Sequence, residues 1–161
     1  MNALIKLSKA VVSIVACLAL VGCQSISIAS GCRVSSDRLR AYEDLALVVR
    51  PDVGELYRFD GTYYSEFEDS GIILGLDLRP DQLEDLKLSA YCVTFEEVCL
   101  ESVMSAWKEL GSKRRLLELR GLARFESLGG SAHELATNQC AGGTLHIEGL
   151  ARIRPAARLP E

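Results

Sequence analysis

Leu117-Glu-Leu-Arg-Gly-Leu-Ala-Arg-Phe125 and Leu145-His-Ile-Glu-Gly-Leu-Ala-Arg-Ile153 are two nine-residue stretches that align without a gap. Five of the nine positions are identical, and two more are apolar in both copies. Apolar and polar residues alternate before the shared glycine, and this period of two predicts a β-strand with one buried face. A glycine in the middle of a strand is typical of a bulge or a sharp bend. The repeat therefore predicts two strands of a small, strongly bent sheet.

A weaker form of the same pattern runs from Leu56 to Phe67, where aromatic residues occupy alternate positions around a central glycine. Asp60-Gly61 interrupts the alternation, and two interpretations stay open. The segment is either two strands joined by a two-residue hairpin turn, or one long strand that bends at the glycine. Ile72-Ile73-Leu74 follows a turn-forming Asp-Ser-Gly and predicts a further short strand.

Helix signals lie before and between these strands. Ser36 is a candidate N-cap for a helix that ends at Arg50-Pro51, although its uniformly apolar tail, residues 45–49, leaves a buried strand open. Thr94 and Glu97 have the spacing of a capping box, and apolar residues follow them at three- and four-residue steps. The sequence thus predicts an α+β fold, with a small, strongly bent antiparallel sheet or a barrel and a helical insert near 80–110.

The composition excludes several classes of protein. The chain has 161 residues, of which 48% are hydrophobic and 25% charged, and its formal net charge is −4. These values are typical of one folded domain and not of a disordered or collagen-like chain. A nucleic-acid-binding domain is normally basic, so we expect no nucleic-acid partner.

Residues 1–22 have the layout of an export signal. Lys6 and Lys9 are their only charges, an apolar run begins at Ala10, and a small residue, Gly22, ends the segment. This arrangement predicts a secretory signal peptide. The apolar run is shorter than the roughly 20 residues that a transmembrane helix needs.

Leu20-Val21-Gly22-Cys23 resembles the lipobox of bacterial lipoproteins. The resemblance implies diacylglycerol on the Cys23 sulfur, cleavage before Cys23, and acylation of the new amino terminus by a chain such as palmitate. Several acyl chains anchor a protein firmly to a membrane. In that family an aspartate after the cysteine favours the inner membrane, so Gln24 indicates the outer membrane, with the domain facing the periplasm. The expected segments are a signal peptide, a lipidated cysteine with its tether, and one periplasmic domain, at residues 1–22, 23–35 and 36–161.

The glycine-centred strands also resemble the OB-like small barrels of uncharacterised bacterial lipoproteins, in which a strand–glycine–strand unit opens and closes the barrel. This resemblance covers residues 53–75 and 112–155. It implies the barrel alternative, while a bent sheet with helices on one face stays open. OB barrels often bind oligonucleotides or oligosaccharides. Export and net negative charge disfavour the oligonucleotide.

Six cysteines are many for a chain of this length. Cys17 leaves with the signal peptide and Cys23 carries the lipid. The remaining candidates for disulfide bonds are Cys32, Cys92, Cys99 and Cys140. An even number in an oxidising compartment predicts two disulfides, and the expected pairs are Cys92–Cys99 and Cys32–Cys140. Two alternatives stay open: buried free cysteines, and a zinc site, with a spacing unusual for zinc, made of Cys92, Cys99, Cys140 and His146.

No catalytic motif is recognisable in the sequence. His133 and His146 lie apart from any Gly-x-Ser-x-Gly or His-Glu-x-x-His pattern. We therefore predict a non-enzymatic protein without a cofactor, which binds an envelope protein or polysaccharide; its oligomeric state stays open. The alternatives are a cell-envelope hydrolase that uses His133 with Glu134, and a carrier of a small ligand or a metal.

Overall fold

The computed structural model describes residues 26–66, 69–76, 78, 82, 86, 89–110, 116–128 and 141–156. Among these residues, α1 spans Ser36–Arg40, a short 3-10 helix spans Leu45–Leu47 and α2 spans Glu97–Leu110. The five strands are β1 Leu56–Glu66, β2 Asp69–Leu74, β3 Tyr91–Phe95, β4 Leu116–Ser127 and β5 Gly143–Pro155. The fold is therefore mostly β, as one mixed five-stranded sheet with few helices.

The sheet closes on itself in the order β1-β2-β3-β5-β4, with β4 returning to pair with β1. β3 and β5 are parallel, whereas all other neighbours are antiparallel. The expectation of a purely antiparallel sheet was wrong at this pair. The reason is that α2 and β4 intervene and bring the chain back to the end at which β3 starts, as a parallel connection requires.

The nine-residue repeat forms two neighbouring strands, as the sequence predicts, because its copies lie in β4 and β5. Their antiparallel register shifts next to Gly121. A Cβ atom on Gly121 would overlap the carbonyl oxygen of Gly149, and one on Gly149 would overlap the side chain of Val34. Glycine is therefore required at both positions, because backbone and side chains approach each other too closely for any other residue.

β1 runs without interruption from Leu56 to Glu66 and passes through Gly61. Of the two interpretations, the bent strand is correct and the hairpin is not. A Cβ atom on Gly61 would lie 2.8 Å from a methyl of Ile72 on the neighbouring strand. The short strand predicted at Ile72–Leu74 is confirmed as part of β2.

The core lies inside the closed sheet. Alternate residues of the strands point inwards, and those that are almost completely buried are Phe59, Ile72, Leu117, Leu119, Phe125, Leu145, Ile147, Leu150 and Ile153. Each such side chain stabilises the fold by about 1.5–3 kcal/mol relative to its exposed state. This core holds the strands rigidly, so the polar side chains on their outer faces have fixed positions.

Helix α2 packs on this core with one face, through Cys99, Val103 and Ala106, all of them completely buried. The Trp107 ring stacks on Tyr63 with ring centres 5.2 Å apart. The exposed face is mostly polar but includes Leu100 and Met104, and the predicted amphipathic helix is confirmed for Glu97–Leu110.

The start of α2 differs from the prediction. Thr94 lies in β3 and does not cap the helix; instead the carbonyl of Glu96 accepts hydrogen bonds from the amides of Cys99 and Leu100. The insert expected near 80–110 is therefore divided by a strand. Gln82 and Leu86 are helical, and the other residues of 79–88 lie outside the described part of the chain.

Residues 26–34, which we name the N-terminal strap, pack against the sheet and α2. Ile26 and Ile28 are buried, and the amide of Ala29 donates a 3.1 Å hydrogen bond to the hydroxyl of Ser102 in α2. Leu150 of β5 accepts from the amide of Val34 at 3.0 Å. The predicted tether covers residues 23–35, and residues 26–34 of that range pack against the domain because two isoleucines bury their side chains there.

The helix predicted from Ser36 to Arg50-Pro51 is also much shorter. Ser35 is the N-cap, since its hydroxyl accepts from the amide of Arg38, and α1 ends at Arg40. Leu45 turns into the core, whereas Leu47 and Val49 are 77% and 102% exposed. A uniformly apolar run does not define one buried face of a helix, and only some of its side chains are buried in the core. Within the described ranges, no helix is both long and apolar enough to cross a membrane.

Candidate functional site

A row of polar side chains crosses three neighbouring strands on the outside of the closed sheet. The parallel register of β3 and β5 places Thr94 beside His146. The antiparallel register of β5 and β4 places Arg124 on the other side of His146. The residues that flank this row along each strand point into the core, among them Leu145 and Phe125. Strand pairing therefore brings together side chains that are 52 residues apart in the sequence.

His146 is hydrogen-bonded through both ring nitrogens. Its Nδ1 lies 2.8 Å from the Thr94 hydroxyl, and its Nε2 lies 3.3 Å from Oε1 of Glu96. Glu96 is itself fixed, because its amide donates to the carbonyl of Ile147 at 3.0 Å and its carbonyl accepts from the first turn of α2. The imidazole side chain is 24% exposed, so solvent and a ligand can both reach it.

Hydroxyl, imidazole and carboxylate thus form a continuous hydrogen-bonded line. In this order a base can take the proton of a hydroxyl nucleophile while a carboxylate orients the base. The same three groups can also bind a polar ligand, because hydroxyl, imidazole and carboxylate together offer donors and acceptors. We name Thr94, Glu96 and His146 the histidine cluster.

Arg124 connects the histidine cluster to the rest of the outer surface. Its Nε donates to Glu148 at 2.6 Å, and its Nη1 donates to the carbonyl of Gly54 at 2.5 Å. The guanidinium therefore links β4, β5 and the loop that leads into β1. Charge-assisted hydrogen bonds of this kind are stronger than neutral ones and fix the side chain in one orientation.

A second charged group lies in the middle of β1 and β4. Arg120 donates two hydrogen bonds to the carboxylate of Asp60, at 2.6 and 2.7 Å, and Arg152 lies 3.9 Å from the same carboxylate. The hydrogen bond to Asp60 raises the pKa of Arg120 above its ordinary value. This bidentate geometry fixes both side chains, although a surface ion pair contributes little to stability.

The most deeply buried charge of the described residues is Glu118 on β4. Its side chain is 1% exposed, and Arg154 of β5 donates to its carboxylate. A buried carboxylate without such a partner would be strongly destabilising. Arg58 pairs in the same way with Asp44, at 3.3 Å. The arginines on the described outer faces of β1, β4 and β5 thus all have carboxylate partners.

Two of the predicted cysteine sites pair with each other. Cys32 in the strap forms a disulfide with Cys99 in α2. Both pairings expected from the sequence, Cys92–Cys99 and Cys32–Cys140, are therefore wrong. The reason is that the strap folds back along α2, a contact between residues 67 positions apart that spacing does not reveal.

Cys92 is also disulfide-bonded. Neither Cys92 nor Cys99 is thus a free thiolate, so the alternative zinc site is not formed from them. His146, the fourth residue of that set, contacts Thr94 and Glu96 instead. Some predicted site residues lie outside the described part of the chain, namely Cys23, His133, Glu134 and Cys140.

The sequence reasoning missed Thr94 and Glu96. A signal for them exists, because the stretch from Cys92 to Glu96 alternates between apolar residues and residues that point outwards. That period of two indicates a strand, but the spacing of Thr94 and Glu97 suggested a helix cap instead. The contact with His146 then depends on the parallel pairing of β3 and β5, which no local pattern reveals.

Comparison with protein-family models, with curated proteins and with solved structures finds no match to this chain. The geometry and chemistry of its own side chains therefore carry the functional assignment.

Proposed function

We propose that this protein is an outer-membrane lipoprotein, anchored by acyl chains on Cys23, whose periplasmic domain binds an envelope protein or polysaccharide. The observation that carries this proposal is the buried disulfide between Cys32 and Cys99. Disulfides persist in oxidising compartments such as the periplasm and are rare in the cytosol. The disulfide thus supports export, which the lipobox-like Leu20-Val21-Gly22-Cys23 implies from the sequence.

We further propose that the domain is an OB-like barrel. Three features support this: the closed strand order β1-β2-β3-β5-β4, the parallel pairing of β3 and β5, and a helix between β3 and β4. OB barrels bind extended polymers, either oligonucleotides or oligosaccharides. A fold alone does not establish a ligand, but the carboxylate partners of the outer arginines leave little free positive charge for a nucleic acid.

Fractionation of cells tests the anchor. Cys23→Ala removes the sulfur that carries diacylglycerol, so this variant should appear in the soluble periplasmic fraction. Cys17→Ala is the matched control, because it changes a cysteine that leaves with the signal peptide and should stay in the outer-membrane fraction. Cys23→Ala protein that still sediments with the outer membrane would contradict the proposal.

The binding role is tested with the mature chain, residues 23–161, carrying Cys23→Ser, which lacks both the signal peptide and the sulfur that would carry the lipid. This protein is immobilised and exposed separately to purified envelope polysaccharide and to solubilised envelope proteins. We expect one of the two fractions to bind and to be displaced by excess free protein. If neither fraction binds in a displaceable way, the binding role is wrong.

The histidine cluster favours a second candidate function, hydrolysis of an envelope ester. Thr94 Oγ1 would attack the acyl carbonyl while His146 takes its proton, and the ester C–O bond would break as His146 passes that proton to the departing alcohol. Water, deprotonated by His146, would then attack the acyl-threonine and release the carboxylic acid and the free threonine hydroxyl. Thr94→Val should abolish this hydrolysis, whereas Thr144→Val, on the same strand as His146, should not. Activity that is unchanged in Thr94→Val, or absent from the native protein, excludes this function.

A further inference from the structure

We propose that an open cleft beside the N-terminal strap binds a phosphate group, carried by a lipid headgroup or by a free phosphate ester. The cleft holds about 580 Å³. Its walls are formed by the strap, by the two serines at the start of α1 and by Ala151 of β5. Pockets for small ligands usually hold about 300–1,000 Å³. This volume therefore admits a phosphate together with an attached organic group.

Arg33 is the cationic residue of this cleft. Its backbone is fixed, since its amide donates to the carbonyl of Ala29 at 3.0 Å and it forms a bridge with Leu150 of β5. The disulfide of the preceding residue, Cys32, holds the same turn against α2. The Nη2 atom of Arg33 donates to the carbonyl of Ile28 at 3.3 Å. A guanidinium carries five N–H donors, so most of them remain for a ligand.

The pairing of Arg33 differs from that of the arginines on the sheet. Each of those has a carboxylate partner, and the side chains concerned are Arg58, Arg120, Arg124, Arg152 and Arg154. Arg33 contacts a backbone carbonyl instead, and no carboxylate of the described residues lies within ion-pair distance. Its positive charge is thus not compensated by the part of the chain that the structure describes.

Hydroxyl groups surround this charge. Ser30, Ser35 and Ser36 line the cleft with Arg33. The Ser35 oxygen already accepts from the amide of Arg38 at 3.2 Å, so its hydrogen can point to a ligand. A guanidinium with neighbouring hydroxyl donors is the arrangement that binds the oxygens of phosphate, which arginine contacts through two parallel hydrogen bonds.

One part of the cleft wall is apolar. Ile28, Val34 and Ala151 form it, and they suit the carbon part of a phosphate ester better than a second charge. A free inorganic phosphate would leave this wall in contact with water. The composition of the cleft therefore favours an ester over the bare anion.

Two sources of such an ester are chemically equivalent at this site. Ile28 follows Cys23 by five residues, an extended length of about 17 Å, so headgroups of the membrane that holds Cys23 are within reach. This source rests on the proposed lipid anchor. The other source, a soluble phosphate ester of the periplasm, does not depend on the anchor.

The experiment uses the mature chain, residues 23–161, with Cys23→Ser, so that membrane binding can come neither from the signal peptide nor from acyl chains. One arm measures binding of glycerol 3-phosphate by calorimetric titration. The other arm measures co-sedimentation with vesicles of phosphatidylethanolamine and phosphatidylglycerol. Arg33→Gln is the test variant, because glutamine keeps a polar N–H donor but lacks the charge and the planar fork of parallel donors. Arg38→Gln, an exposed arginine on α1 outside the cleft, is the matched control for the same loss of charge.

We expect Arg33→Gln to weaken binding by about tenfold or more, and Arg38→Gln to weaken it less than about twofold. Binding of the ester alone identifies a soluble ligand, and binding of vesicles identifies the headgroup. Equal losses in the two variants would show a general effect of charge and would overturn the proposal, as would a native chain that binds neither probe. If Arg33→Gln does not fold, Arg33→Lys replaces it as the test variant, because lysine keeps the positive charge but lacks the planar pair of N–H donors. Membrane fractionation of Cys23→Ala tests the anchor separately.

Discussion

Removal of the disulfide between Cys32 and Cys99 should strongly destabilise the domain. The disulfide closes a loop with a sequence separation of 67 residues. Such a crosslink lowers the conformational entropy of the unfolded chain and thereby stabilises the folded state by about 4 kcal/mol at 25 °C. Because small domains are stable by only about 5–15 kcal/mol in total, the double variant Cys32→Ala with Cys99→Ala should lose a large part of its stability.

Urea unfolding followed by tryptophan fluorescence measures this loss. Trp107 is the only tryptophan of the chain and stacks on Tyr63 beside the core, so its emission reports on packing of α2. With a slope of about 2 kcal/mol per molar urea, the midpoint should fall by about 2 M. Cys23→Ser serves as the background for all variants.

Met104→Ala is the control on the same helix. This side chain is exposed, and its removal should change the free energy of unfolding by less than about 0.5 kcal/mol. If the double cysteine variant loses less than about 1 kcal/mol of its free energy of unfolding, the disulfide between the strap and α2 is not a main source of stability and the reasoning is refuted.

Three further predictions concern the sheet and the remaining cysteines. Gly121→Ala should lower the free energy of unfolding by about 3 kcal/mol, because its Cβ would overlap the carbonyl oxygen of Gly149; a variant with an unchanged thermal midpoint would contradict this close approach. Burial raises the pKa of the Tyr63 hydroxyl above its ordinary value of 10.0, so at higher pH the unfolded chain loses this proton first and stability falls as the pH rises. Tyr63→Phe should reduce that alkaline loss in urea titrations, and an equally steep loss in the variant would exclude Tyr63 as its source. The disulfide partner of Cys92 should be Cys140, because the amide of the nearby Gly142 donates to the carbonyl of Ala90 at 3.0 Å; peptide mapping without reduction should find this pair, and a Cys92 peptide linked elsewhere would contradict it.

Local patterns predicted those elements whose own side chains decide their structure. The repeated Leu117–Phe125 and Leu145–Ile153 alternate at a period of two before their shared glycine, so both are recognisable as strands with a central bend. Helix α2 was recognisable because its buried residues recur at helical spacing. The closed order of the strands was only partly predicted, since the parallel pairing of β3 and β5 depends on the whole path of the chain.

The strap and the histidine cluster could not be predicted for the same reason. Ile26 and Ile28 stand among small polar residues, a composition that predicts a tether. They belong to the domain because their side chains are buried against it, which the local sequence does not reveal. Cys99 was assigned to the nearest cysteine in sequence, although the strap brings Cys32 to it. Distant contacts of this kind follow from tertiary packing and not from spacing.

The Cys32–Cys99 disulfide also determines how the chain responds to mechanical force. A pull applied at Cys23, the proposed site of acylation, would reach a covalent bond to α2 after nine residues. Hydrogen bonds of residues 26–32 can break one after another, which releases about 20 Å of extended chain. Beyond Cys32 the force is divided between the strap and α2, so unravelling would require the helix to leave the core as well. A protein held at one end in a moving membrane and at the other by a partner would in this way extend by a short, fixed length while its sheet stays folded.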